Sequence, residues 1–235
     1  MREFYLDIPT IIIGTIIYII ISKLTISEYL AYKELILIIF LIEIIGLIYD
    51  GMIILLGSTM TEWLLMFLNQ LRFIFHGLLV PVLILFSGYA LDYKSKTYFI
   101  NLIINIILSI FGFFIGIITE LKVEDSGVLK RCTFSDDIPL FINISFILMN
   151  IGCVIYMIIA GIILYVKSRE YYFLLAGVFM LIFSAIGPAM GNPDITYLLS
   201  MYGEVLMIIF LYLYFKKTIR AKYRKSNEVE VNKVN

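Results

Sequence analysis

The sequence predicts an all-α integral membrane protein, a seven-transmembrane-helix bundle with its N-terminus outside and its C-terminus in the cytoplasm. Three observations carry that prediction. Mean hydropathy is +1.01, with 62% apolar and only 15% charged residues, against about a quarter charged in soluble domains. Seven apolar stretches occur at about 5–22, 34–57, 63–90, 98–119, 139–166, 171–188 and 195–215, each of a length to cross a hydrocarbon core of ~30 Å. The basic residues, finally, fall mainly in alternate loops.

The first stretch opens with Asp7-Ile8-Pro9, where Asp suits an N-cap and Pro a first turn. Its leader carries two acids and one base, and no small-x-small cleavage pattern follows Ile21, so it is expected to be a retained helix rather than a signal peptide. In the third stretch Pro81 removes the hydrogen bond to the Gly77 carbonyl and predicts a kink below His76. Asp-Ile-Pro recurs at Asp137-Ile138-Pro139. Two three-helix units joined by a linker helix would give that echo, as in parallel-repeat transporters, although Asp-x-Pro is also ordinary helix-start chemistry.

Loop charges test the count, because cytoplasmic loops collect Lys and Arg. With seven spans, one side holds Lys23, Lys33, Lys94, Lys96, Lys167, Arg169 and the seven bases from Lys216 onward, thirteen in all, and the other holds Arg2, Lys122, Lys130 and Arg131. Arg72 is the base left inside a span. Merging or splitting a span would scramble this bias, so the chain is divided into a seven-helix domain over 1–217 and a cytoplasmic tail over 218–235, basic and then polar, expected to be disordered. The basic run from Lys216 to Lys225 suits anionic lipid head groups. The loop at 120–138, with Glu120, Glu124, Asp125, Asp136 and Asp137, is expected to be a solvated acidic loop on the outside, or a vestibule for cations. Cys132 lies in that loop and Cys153 in mid-helix, so a disulfide between them is not expected. A formal net charge of zero hides this segregation and gives no reason to expect a nucleic-acid partner.

Within the third stretch Asn69, Arg72 and His76 share one helix face. A guanidinium near the bilayer centre costs at least ~2.5–3.5 kcal/mol on insertion scales, so the other helices must supply its partner. Glu43 and Asp50 are seven residues apart on one face of the second helix. The fourth carries Asn101, Asn105, Ser109, Gly112 and Gly116 along one stripe, a pattern that lets a neighbouring backbone approach closely. The fifth carries Asn143 and Asn150, the sixth Gly177, Ser184 and Pro188, and the seventh Tyr197, Ser200 and Glu204. Counting depth from the span ends makes a midplane cluster of Glu43, Arg72, His76, Asn150 and Glu204 geometrically possible. Asp50 lies nearer Asn69. The candidate ligand- or ion-binding residues are thus Glu43, Asp50, Asn69, Arg72, His76, Asn105, Asn150 and Glu204.

Three buried acids face one Arg and one His, an imbalance that burial disfavours. Bound protons, a bound cation or a water-filled cavity would relieve it, whereas a purely structural role would make the same residues interhelical glue. A single histidine excludes the multi-His zinc site of seven-helix membrane hydrolases. The last span has no lysine for a retinal Schiff base, and no Pro-Gln dipeptide, G-x-S-x-G or P-loop occurs. No cofactor or metal is called for. The first expectation is therefore a transporter, proton-linked, for a small solute or ion, in the plasma or cell membrane. A seven-helix ligand-sensing receptor comes second, and third an intramembrane lipid-modifying enzyme using Glu43 or Glu204 with His76 as acid and base.

Overall fold

The computed structural model describes residues 7–92, 96–126, 129–135, 139–189 and 193–234. Eight α-helices and one β-hairpin follow in the order α1 (Asp7–Tyr32), α2 (Leu35–Leu56), α3 (Glu62–Leu79), α4 (Val82–Asp92), α5 (Lys96–Ile118), β1 (Leu121–Ser126), β2 (Leu129–Phe134), α6 (Leu140–Ser168), α7 (Tyr172–Ala189) and α8 (Pro193–Val234). A short 3-10 turn, Gly57–Thr59, separates α2 from α3. Among the described residues, six segments are long and apolar enough to cross a membrane, with α3 and α4 counting as one, and a shorter apolar helix runs over Tyr172–Ile186. The chain is a polytopic helical membrane protein.

Pro81 breaks the third segment where expected. α3 stops at Leu79, α4 starts at Val82, and the link is held by Ile84 N–H donating to the Pro81 carbonyl at 2.9 Å. Interrupting a helix in an apolar medium leaves carbonyls without donors. Here the Ser109 hydroxyl of α5 donates to the Leu78 carbonyl at 2.9 Å.

The polar and small stripe of α5 runs antiparallel along α3 and α4. Asn101 packs at Gly88, the Gly112 and Gly77 backbones touch, and Gly116 sits against Ile74. A Cβ at Gly77 or Gly112 would collide with the other's carbonyl, so only glycine allows this crossing. The Gln70 amide crosses it to donate to the Gly116 carbonyl and, at 3.2 Å, to that of Thr119.

Three boundaries differ from the sequence reading. α1 continues to Tyr32 instead of ending near 22, because its polar extension stays helical: the Thr25 hydroxyl folds back onto the Ile21 carbonyl at 2.8 Å and Glu28 finds a cation on α8. α8 likewise runs on to Val234 and not merely to 215, so residues 218–234 are described as helix. Its cations explain this, since Arg220 grips Glu28 with Nη2 at 2.6 Å and Nε at 3.2 Å, Lys222 reaches Glu34, and Lys217 pairs with Glu170 at the start of α7. The run expected to serve topology and lipid also staples α8 to the neighbouring helix ends.

The third difference is that the acidic loop is not simply a solvated loop, and the chain is not purely α. Leu121–Ser126 and Leu129–Phe134 pair as an antiparallel hairpin with Val123 opposite Cys132 and Glu124 opposite Arg131. Lys122 pairs with Glu124 and Lys130 with Asp125 at its exposed edge, whereas Leu129, Arg131 and Cys132 are buried against the bundle. Asp136 and Asp137, and with Asp137 the echo of the first helix start, lie outside the described residues. Both cysteines are free and buried.

The core divides along the helix axes. At the end where α8 meets Glu28 and Glu34, Phe40 of α2, Phe86 of α4 and Phe215 of α8 form a triangle of rings with centroids 5.2–6.0 Å apart, and Tyr89, Phe173 and Tyr214 extend it. Phe40, Phe86, Phe173 and Phe215 are fully buried. At the hairpin end a smaller cluster of Ile11, Ile54, Leu129 and Met201 closes the bundle.

Candidate functional site

Between the aromatic end and the hairpin lies a cavity of about 280 Å³, lined by α2, α3, α4, α6, α7 and α8. α1 and α5 contribute nothing to its wall and act as outer braces. Five of the six lining helices bring polar residues named from their spacing, Glu43 and Asp50 from α2, Arg72 and His76 from α3, Asn150 from α6, Ser184 from α7, and Ser200 and Glu204 from α8, and α4 brings the apolar Leu83. A second hollow of about 170 Å³ shares Asp50, Arg72, His76 and Glu204 with the first and adds Tyr197, extending toward the hairpin.

The partner of Arg72 is Asp50. Arg72 Nε donates to Asp50 Oδ1, and Nη1 donates to Asn69 Oδ1 at 2.9 Å. Asn69 is completely buried and donates in turn to the Leu65 carbonyl at 2.8 Å, which fixes its amide orientation. Asn69 is thus a support for the guanidinium and does not itself line the cavity. Arg72 also lies over the Phe73 ring at 5.0 Å. Paired, oriented and partly desolvated, Arg72 and Asp50 form one neutral unit in the wall.

That pairing leaves Glu43 and Glu204 without an ion-pair partner among the described residues, with His76 the other basic side chain in the wall. Glu43 is 4% exposed, and its Oε2 has no hydrogen-bond partner. Glu204 lines both hollows. Asn150 Oδ1, Ser184 Oγ and Tyr197 OH are also buried with no partner. A buried oxygen without a donor loses roughly 1–3 kcal/mol relative to solution, so Glu43, Asn150 and Ser184 on the first hollow and Tyr197 on the second mark places that a bound group would satisfy. His76 sets its ring 5.9 Å from Phe146.

Asn105 stands apart. It is buried on the α5 stripe between Asn101 and Ser109, facing α3 and α4, and it does not line the cavity. α5 packs outside the ring of lining helices, so its polar stripe serves helix contact. Nearby, Tyr156 donates to Asn101 Oδ1 at 2.8 Å.

The spacing argument passed over several lining groups. Phe75, Phe146, Met180 and Met207 supply much of the wall, and nothing in a uniformly apolar helix separates such residues from lipid-facing ones. The hairpin contribution was equally hidden. Arg131 lies over the Tyr197 ring at 5.7 Å, and Phe134 bridges Phe73 (4.9 Å) and Phe146 (5.3 Å), so rings run from the hairpin down to His76. The alternation Leu121-x-Val123 and Leu129-x-Arg131, either side of a Ser-Gly step, was the available signal.

Among the described residues, no group of three or more His, Cys, Asp or Glu side chains is arranged to hold a metal ion. No protein-family model matches the chain, and no curated protein is similar to it.

Proposed function

We propose that the chain is a small-solute transporter of the cell membrane, with the cavity between α2, α3, α6, α7 and α8 as its solute site and proton-linked through the carboxylates there. The observation that carries this reading is Glu43, a buried carboxylate with an unpartnered oxygen at the wall of a hollow large enough for a solute. An ionisable group in the apolar layer is expensive, and one left without a partner is a site by default. In this reading α7 also spans, as the sixth of seven, its 18 residues giving about 27 Å of helix. The N-terminus is outside and the C-terminus cytoplasmic, since Lys33, Lys96, Lys167, Arg169 and the α8 cations lie at the aromatic end.

A second reading, a ligand-sensing receptor, is favoured by one feature. The aromatic end is filled by Phe40, Phe86 and Phe215 and tied by ion pairs, so a solute entering at the hairpin end meets a closed floor.

The test is uptake of protons and alkali cations into proteoliposomes carrying an internal pH dye, for wild type, Glu43→Gln and Glu204→Gln. Transport predicts a flux in wild type that falls at least tenfold in either variant. Folded wild-type protein that passes neither protons nor alkali cations, yet binds a small solute, gives the receptor reading instead.

A further inference from the structure

The geometry points to a small organic monocation, a protonated amine on a short apolar body, as the ligand of the central cavity. This rests on the cavity being a solute site, but not on the solute being transported.

The buried wall atoms that lack a partner are acceptors or, at Ser184, a hydroxyl that can act either way. Glu43 Oε2 and Asn150 Oδ1 have no partner, and the Glu204 carboxyl lines the same space. Ser184 Oγ, also without a partner, can accept as well. The strong donor, Arg72, has Nε committed to Asp50 and Nη1 to Asn69. An anion would therefore meet two carboxylates and a guanidinium already neutralised. An ammonium group carries donors and no acceptor, and would supply what Glu43 Oε2 and Asn150 Oδ1 lack.

The rest of the wall selects among cations. A hard metal ion takes several oxygens converging at short range, carboxylates prominent among them, and among the described residues no group of three or more His, Cys, Asp or Glu side chains is so arranged. Phe75 and Phe146 line the cavity, and aromatic rings attract a desolvated cation. Leu47, Leu79, Leu83, Val154, Met180 and Met207 form an apolar surface suited to a short carbon body. A volume of about 280 Å³ falls just below the ~300–1,000 Å³ of pockets for drug-sized ligands, so the body is small.

The experiment uses the full chain in detergent with three probes of matched length: n-butylamine, which is protonated at neutral pH, n-butanol and butyrate. Binding is read from the concentration dependence of thermal unfolding and from equilibrium binding of radiolabelled butylamine. Butylammonium is expected to stabilise saturably and at least tenfold more tightly than either counterpart. Glu43→Gln should weaken it tenfold or more, and Asn150→Leu by less, with both variants eluting as wild type. Should Glu43→Gln fail to fold, Asn150→Leu and the probe series decide the matter by themselves. Equal binding of butanol, preference for butyrate, undiminished affinity in folded Glu43→Gln, or displacement by equimolar sodium or potassium would each overturn the assignment. Amine binding without uptake into liposomes removes transport and leaves this inference standing. Uptake of an anion or a neutral solute through the cavity does the reverse.

Discussion

The two halves of the bundle are made from the same helices and solve opposite problems. Toward the hairpin, α2 offers Glu43 and Asp50, α3 offers Arg72 and His76, and α8 offers Glu204 around a hollow. Toward the basic end, α2 offers Phe40, α4 offers Phe86 and Tyr89, and α8 offers Phe215, packed without a gap between rings. The change occurs within about three turns of each helix, and on the third segment it coincides with the break at Pro81. A membrane helix is therefore not one environment. What a substitution does should depend on which half it strikes.

The largest expected effect is at Arg72. Arg72→Ala strands Asp50 in the wall and the side-chain oxygen of Asn69 behind it, and breaking a buried pair from one side costs about 3–5 kcal/mol. Thermal unfolding in detergent should show this, and replacing Arg72 and Asp50 together with leucine should recover much of it. Additive losses would mean that the pair is not the unit described here. Phe215→Ala comes next, at about 3 kcal/mol for emptying an aromatic site, and its signature is selectivity: stability falls while solute affinity in the other half is retained. An equal loss of affinity would show that the halves are coupled.

Arg220→Ala is expected to do far less, under about 1 kcal/mol, because the guanidinium is more than half exposed although Glu28 is buried. The smallest effect on stability, and the sharpest on access, concerns Cys132. It is 2% exposed, and burial pushes its thiol up from its ordinary value. Only the thiolate reacts readily, so maleimide labelling at neutral pH should be slow while the hairpin stays docked. The thiol must remain protonated to remain buried. The hairpin's hold is thus intact below an ordinary thiol pKa of about 8.5 and weakens as pH rises through the elevated one. Rapid labelling at pH 7 would show a hairpin already detached.

Much of this was legible in the sequence because expensive residues are sparse in an apolar chain. Three polar residues at helical spacing located the site face of α3, a seven-residue interval located that of α2, and Pro81 located the break. The choice among Glu43, Asp50 and Glu204 as the partner of Arg72 was not legible. It depends on a guanidinium reaching along its own helix toward Asn69, a matter of a few ångströms that spacing does not resolve. Asn105 shows the converse: a stripe of polar and small residues reads alike whether it faces a hollow or another backbone. The long ends of α1 and α8 escaped notice because their helicity depends on each other. Glu28 and Arg220 are separated by 192 positions, and local propensity carries no record of such a partner.

That separation also sets a timetable. The first and last helices are tied together through Arg220–Glu28, Lys222–Glu34 and the Tyr223 hydroxyl on the Tyr32 carbonyl. At synthesis rates of roughly 5–20 residues per second, the cations arrive some 10–40 s after the acids they neutralise. During that interval Glu28 and Glu34 await their partners, and the cavity wall lacks Glu204, Ser200 and Met207. The half-made bundle is open on one flank, the state in which a membrane insertase or a quality-control protease would meet it.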